Sequence, residues 1–71
     1  MRQDEARELI LKEYDTWVLR EHPNGIPSGT EAMVFYAQFK EKRPDMFAFR
    51  SSADKWQVFH SWLLHTKRCR D

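Results

Sequence analysis

The chain has 71 residues, 41% of them hydrophobic and 32% charged, with a formal net charge of +1 and a single cysteine. That length holds one domain with a marginal core, because a split would leave pieces too short to bury apolar surface unaided. No stretch approaches the ~20 apolar residues of a membrane span, and one cysteine excludes an internal disulfide framework.

The opening residues, Met1-Arg2-Gln3-Asp4-Glu5, lead into an acidic amphipathic pattern rather than an apolar leader. A complete, soluble, cytoplasmic protein of residues 1–71 is the expectation. Residues 4–20 read as the first helix, in which Ala6, Leu9, Ile10, Tyr14, Trp17 and Val18 recur at three- and four-residue spacing. Asp4, Glu5 and Glu8 favour its positive end, and Arg20 and His22 fall near its negative end. Pro23, Asn24-Gly25 and Pro27 then make a turn, with Ile26 expected to plug the gap between helices.

Ser28, followed three residues later by Glu31, is a capping-box signature opening a second helix over about 29–42. Its apolar stripe is Ala32, Phe35, Tyr36 and Phe39, flanked by Met33 and Ala37, and Pro44 stops it. Pro44 to Arg50 is too short to show either period, so an irregular or single-turn aromatic connector is expected. Ser51 with Asp54 repeats the capping pattern and predicts a third helix over about 52–68. Trp56, Val58, Phe59, Trp62 and Leu63 span its broad apolar arc. Gln57, Ser61, His65 and Arg68 share the opposite strip, with Leu64 on its shoulder. Lys67, Arg68, Cys69 and Arg70 read as a frayed basic tail. The fold class is therefore all-α, a small orthogonal three-helix bundle with an aromatic-rich connector between helices 2 and 3.

Catalytic and cofactor signatures are absent from this pattern. Tetrahedral zinc needs about four Cys or His ligands, and the four candidates are scattered: His65 and Cys69 share a helical face, His60 lies about 140° away, and His22 belongs to the first turn; no phosphate-cradling glycine motif or metalloprotease motif occurs. Cations around Cys69 would lower its pKa, but no base or oxyanion site can be placed beside it. No enzyme activity, cofactor, metal or small-molecule substrate is expected.

Two binding readings remain. Three Trp, two Tyr and five Phe in so short a chain exceed what one protomer readily hides. Phe47, Phe49, Trp62 and Leu64 are the candidate protein-interaction residues. The charge distribution agrees with self-association into a homodimer: residues 1–35 carry four basic and seven acidic groups, −3, and residues 36–71 carry eight basic and four acidic groups, +4. The alternative is nucleic-acid binding. The last helix and its polar strip resemble in outline what a helix-turn-helix presents to a groove, with Gln57, Ser61, His65 and Arg68 facing bases and Lys55, Lys67 and Arg70 holding phosphates from the flanks; a separate basic cluster, Lys40, Lys42, Arg43 and Arg50, would dock phosphates without reading bases. Against it, the connector is longer than the tight turn of that motif, and Asp54 would repel phosphates.

Overall fold

The computed structural model describes residues 2–71, which form three α-helices: α1 (Gln3–Glu21), α2 (Gly29–Lys42) and α3 (Lys55–His65). One 3-10 turn, Pro44–Phe47, separates α2 from α3, and the described residues contain no strand. The architecture is the expected three-helix bundle bridged by aromatic side chains. Its radius of gyration, 11.4 Å, matches the ~11 Å of a single folded unit of this length.

α1 buries Ala6, Ile10, Leu11, Tyr14 and Trp17. Its core-facing arc is centred on Tyr14, with Leu11 and Val18 on one edge and Ala6 and Trp17 on the other. Leu9 lies about 140° from Tyr14 around the axis. It is accordingly 41% exposed, and Leu11 takes the core position that the spacing gave to Leu9. The helix closes with the His22 N–H donating to the Val18 carbonyl at 2.7 Å, just before Pro23. In the turn that follows, Pro27 is fully buried and Ile26 is half exposed, so the proline, not the isoleucine, plugs the gap.

α2 begins as its sequence predicts, with the Glu31 N–H donating to the Ser28 hydroxyl at 3.3 Å. The reciprocal half of the capping box is absent. The Glu31 carboxylate instead lies 3.1 Å from His22 Nδ1 and 3.8 Å from the Arg70 guanidinium.

After α2, Pro44 opens the 3-10 turn and the Ala48 N–H closes it on the Asp45 carbonyl. Met46, Phe47 and Phe49 all enter the core. Phe47 meets Tyr36 edge-on at 5.1 Å and Phe59 at 6.4 Å, and Phe49 packs on Trp62 at 5.5 Å. Pairs of this geometry contribute about 0.5–1.5 kcal/mol each beyond the area they bury.

α3 is shorter than expected at both ends. The Ser51 hydroxyl forms a local turn with the Ala53 backbone, so Asp54 becomes the cap, accepting the Trp56 N–H at 3.1 Å. At the other end Lys67 has φ 58°, the only positive φ outside glycine among the described residues. The Arg68 N–H reaches the Leu63 carbonyl and the Lys67 N–H that of Leu64, a Schellman ending that reverses the chain.

The segment beyond it is anchored rather than frayed. Tyr14 donates its hydroxyl hydrogen to the Arg68 carbonyl at 3.0 Å, and the Arg68 guanidinium forks onto Asp15 at 2.8 and 3.1 Å. The Arg70 N–H meets the Pro27 carbonyl, and the Gly29 N–H meets the Asp71 carboxylate at 2.7 Å. His60 Nε2–H donates to the Asp71 main-chain oxygen at 2.8 Å. A Cβ on Gly29 would fall inside van der Waals contact with that oxygen, so glycine is needed there.

Candidate interaction surfaces

The expected apolar interface residues divide. Phe47 and Phe49 are buried, because the 3-10 turn points both rings under the helices, and they present no surface to a partner. Trp62 is half buried against Phe49. Leu64 alone of the four is well exposed, at 46%. It borders a shallow dent with Trp56, Gln57, His60 and Ser61, where the Trp56 and His60 rings stack at 4.9 Å, only 9° from parallel.

A second apolar surface lies on α2, whose core-facing side is filled by Ala32 and Phe35 with Tyr36 and Phe39 packed beside them. Met33 is 47% and Val34 49% exposed on the outer side, and Ala37 is exposed with them. Met33 lies about 60° from Tyr36 around the helix, on the shoulder toward α3, since Tyr36 packs on Trp56 at 5.4 Å. Val34 and Ala37 face further outward. Helical spacing places Met33 and Ala37 on the flanks of the inward stripe and leaves Val34 outside it. The available signal was the run Ala32-Met33-Val34-Phe35-Tyr36-Ala37, six apolar residues that no single helix stripe can bury.

The cations proposed for phosphate contact do not share a face. Lys40 and Lys42 are about 160° apart around α2. Lys40 lies over the Tyr36 ring at 5.5 Å, and Lys42 turns toward α1. Arg43 forks onto Asp45 at 3.2 and 3.1 Å, which raises the guanidinium pKa and lowers that of the carboxyl. Arg50 is exposed on the connector. Gln57, Ser61 and His65 do form an exposed row along α3. Arg68 leaves that row, because α3 ends at His65 and the guanidinium is held by Asp15; this bond raises its pKa.

Cys69 is buried, not presented by a mobile basic tail. Burial pushes its thiol pKa up, the opposite of the activation that neighbouring cations would give. Burial likewise drives the Tyr14 phenol well above its ordinary range, assisted by Cys69 and Asp15. Among the described residues no three His, Cys, Asp or Glu side chains converge as a metal site, and no helix is long and apolar enough to cross a membrane.

No protein-family model, curated protein or solved structure matches the chain. Its own surfaces therefore carry the functional reading.

Proposed function

We propose that this chain is a small, non-catalytic protein-interaction module that self-associates through the outer face of α2. The observation that carries the reading is the half-exposed pair Met33 and Val34, with Ala37 beside them, on a helix whose opposite side already completes the core. A second copy is the favoured occupant. Antiparallel pairing of two α2 helices sets each helix dipole against the other and brings the same three apolar residues together about a two-fold axis. One helix face is smaller than the ~800 Å² per partner of stable complexes, so the association is weak and concentration-dependent. The dispersed cations, one forked onto Asp45 and another held by Asp15, favour this reading over nucleic-acid binding.

Sedimentation across the micromolar range tests it. A reversible dimer is expected, and Val34→Glu abolishes it without lowering the unfolding midpoint, because Val34 contributes little to the core. Leu64→Glu serves as the comparison and leaves the dimer intact if α2 is the contact. A monomer at every concentration overturns the proposal. Salt-sensitive binding to duplex or single-stranded nucleic acid, weakened by joint substitution of Lys40, Lys42 and Arg43, establishes the alternative.

A further inference from the structure

Between α1 and α2 lies an open pocket of about 320 Å³, on the other side of α2 from the shoulder that meets α3. Its floor is aromatic. Trp17 and Phe35 lie with ring centres 5.3 Å apart, and Phe39 stacks on Phe35 at 5.3 Å, 16° from parallel. Thr16 and Gln38 supply hydrogen-bonding groups on the walls.

The charged groups at the rim differ in how far they are already engaged. Arg43 is forked onto Asp45, and Arg20 lies 3.5 Å from Glu21. Lys42 has no carboxylate within 4 Å among the described residues, leaving its ammonium charge without a protein partner at the pocket. Glu13 is the single carboxylate among the lining residues, against the three cations Arg20, Lys42 and Arg43, so the rim is net positive.

We propose that this pocket binds a small aromatic anion, with a ring against Phe39 and the exposed edges of the largely buried Trp17 and Phe35, and an acidic group on Lys42. The volume lies at the lower limit of small-ligand sites and well below what an α-helix about 10 Å across would need, which favours a small molecule over a docked helix. Aromatic floor and isolated cation together select for both parts of the ligand: a ring without the acid gains only apolar contact, and an acid without the ring meets a single solvated ammonium. The site is independent of the α2 outer face, where Met33 and Val34 stand.

The probe is 8-anilinonaphthalene-1-sulfonate, titrated into the isotope-labelled full chain while amide and indole N–H resonances are followed. The Trp17 indole and the amides of Phe35, Phe39 and Lys42 shift, and those of Trp56 and Trp62 do not. Lys42→Glu, a substitution at an exposed helix end whose folding is checked by circular dichroism, weakens the probe about tenfold or more. Val34→Glu leaves the affinity unchanged, which separates this site from self-association. Shifts centred on Met33 and Val34, no shift at Trp17, or undiminished binding to Lys42→Glu each overturn the proposal.

Discussion

Two segments outside the α-helices finish this bundle by opposite means. The connector after α2 closes the core with carbon: Met46, Phe47 and Phe49 turn inward onto rings from α2 and α3. The segment after α3 closes it with hydrogen bonds: Arg68 and Asp71 engage α1, α2 and α3, and Arg70 engages the first turn. Apolar closure tolerates small shifts of the chain, because contact is roughly proportional to area. Polar closure depends on donors and acceptors meeting within a few tenths of an ångström. The first is therefore expected to hold most of the stability, and the second to hold most of the specificity of the ending.

Removing a ring from the junction that both α2 and the connector share gives the largest effect. Phe59 is fully buried and touches Tyr14, Phe35, Tyr36 and Phe47. Phe59→Ala is expected to cost about 3–5 kcal/mol, enough to unfold a domain of this size, as measured by denaturant titration. A loss below about 1 kcal/mol would mean that the connector does not close the core as described.

Alkaline pH tests the polar ending. Tyr14 and Cys69 both have pKa values raised by burial. In the unfolded chain they ionise near their ordinary values, around pH 8.5 for the thiol and 10 for the phenol. Above those values the unfolded state binds fewer protons than the folded one, so stability is complete at neutral pH and falls as pH rises. Each group contributes a slope of at most about 1.4 kcal/mol per pH unit. Tyr14→Phe removes the phenol's share and Cys69→Ala the thiol's. Denaturant midpoints measured from pH 7 to 11 that stay flat in the wild-type chain would contradict the burial of both.

Gly29→Ala acts on the same ending at its tightest point. The added methyl group displaces Asp71, releasing its contacts with the Gly29 N–H and His60. Two hydrogen bonds at about 1 kcal/mol each are set against a gain of up to about 1 kcal/mol from replacing glycine in a helix. The expected net loss is about 1 kcal/mol. Amide exchange is the more direct readout, with faster exchange at Arg70 and little change at Phe49 if the two segments are independent.

The same contrast explains what could be read from the residues. α2 runs over 29–42 as its capping serine and terminating proline predict, and α1 extends one residue beyond its expected range at each end. Those signals are local. The exposed row Gln57, Ser61 and His65 follows from helical period, and so does the burial of Phe59 and Leu63. Arg68 was lost from that row because a carboxylate 53 positions earlier holds it, a pairing that no spacing reveals. The outer face of α2 is less legible for a different reason: Ala32, Phe35, Tyr36 and Phe39 already complete an inward stripe, and helical period assigns no role to the apolar residues between them. The number of rings suggests a surplus available to a partner at Phe47 and Phe49, whereas the turn opened by Pro44 and the residues just after it carry both rings inward.

The smallest predicted effect concerns the residue at which the polar ending begins. Lys67 holds a left-handed conformation that exposes a non-glycine residue to a steric penalty of about 1 kcal/mol, yet its N–H and that of Arg68 complete the Schellman ending. Lys67→Gly removes the penalty and adds chain entropy to the unfolded state; these terms oppose each other, and the relief of strain is the larger at a left-handed position. A gain of about 0.5–1 kcal/mol is expected, measured by thermal unfolding at neutral pH. Because Lys67 is exposed and precedes Arg68, Cys69 and Asp71, the variant should also slow amide exchange at Arg70. Stabilisation without that added protection would show that α3's ending and the segment beyond it are uncoupled, and destabilisation would show that the reversal at Lys67 is not the one that positions Arg68 on Asp15.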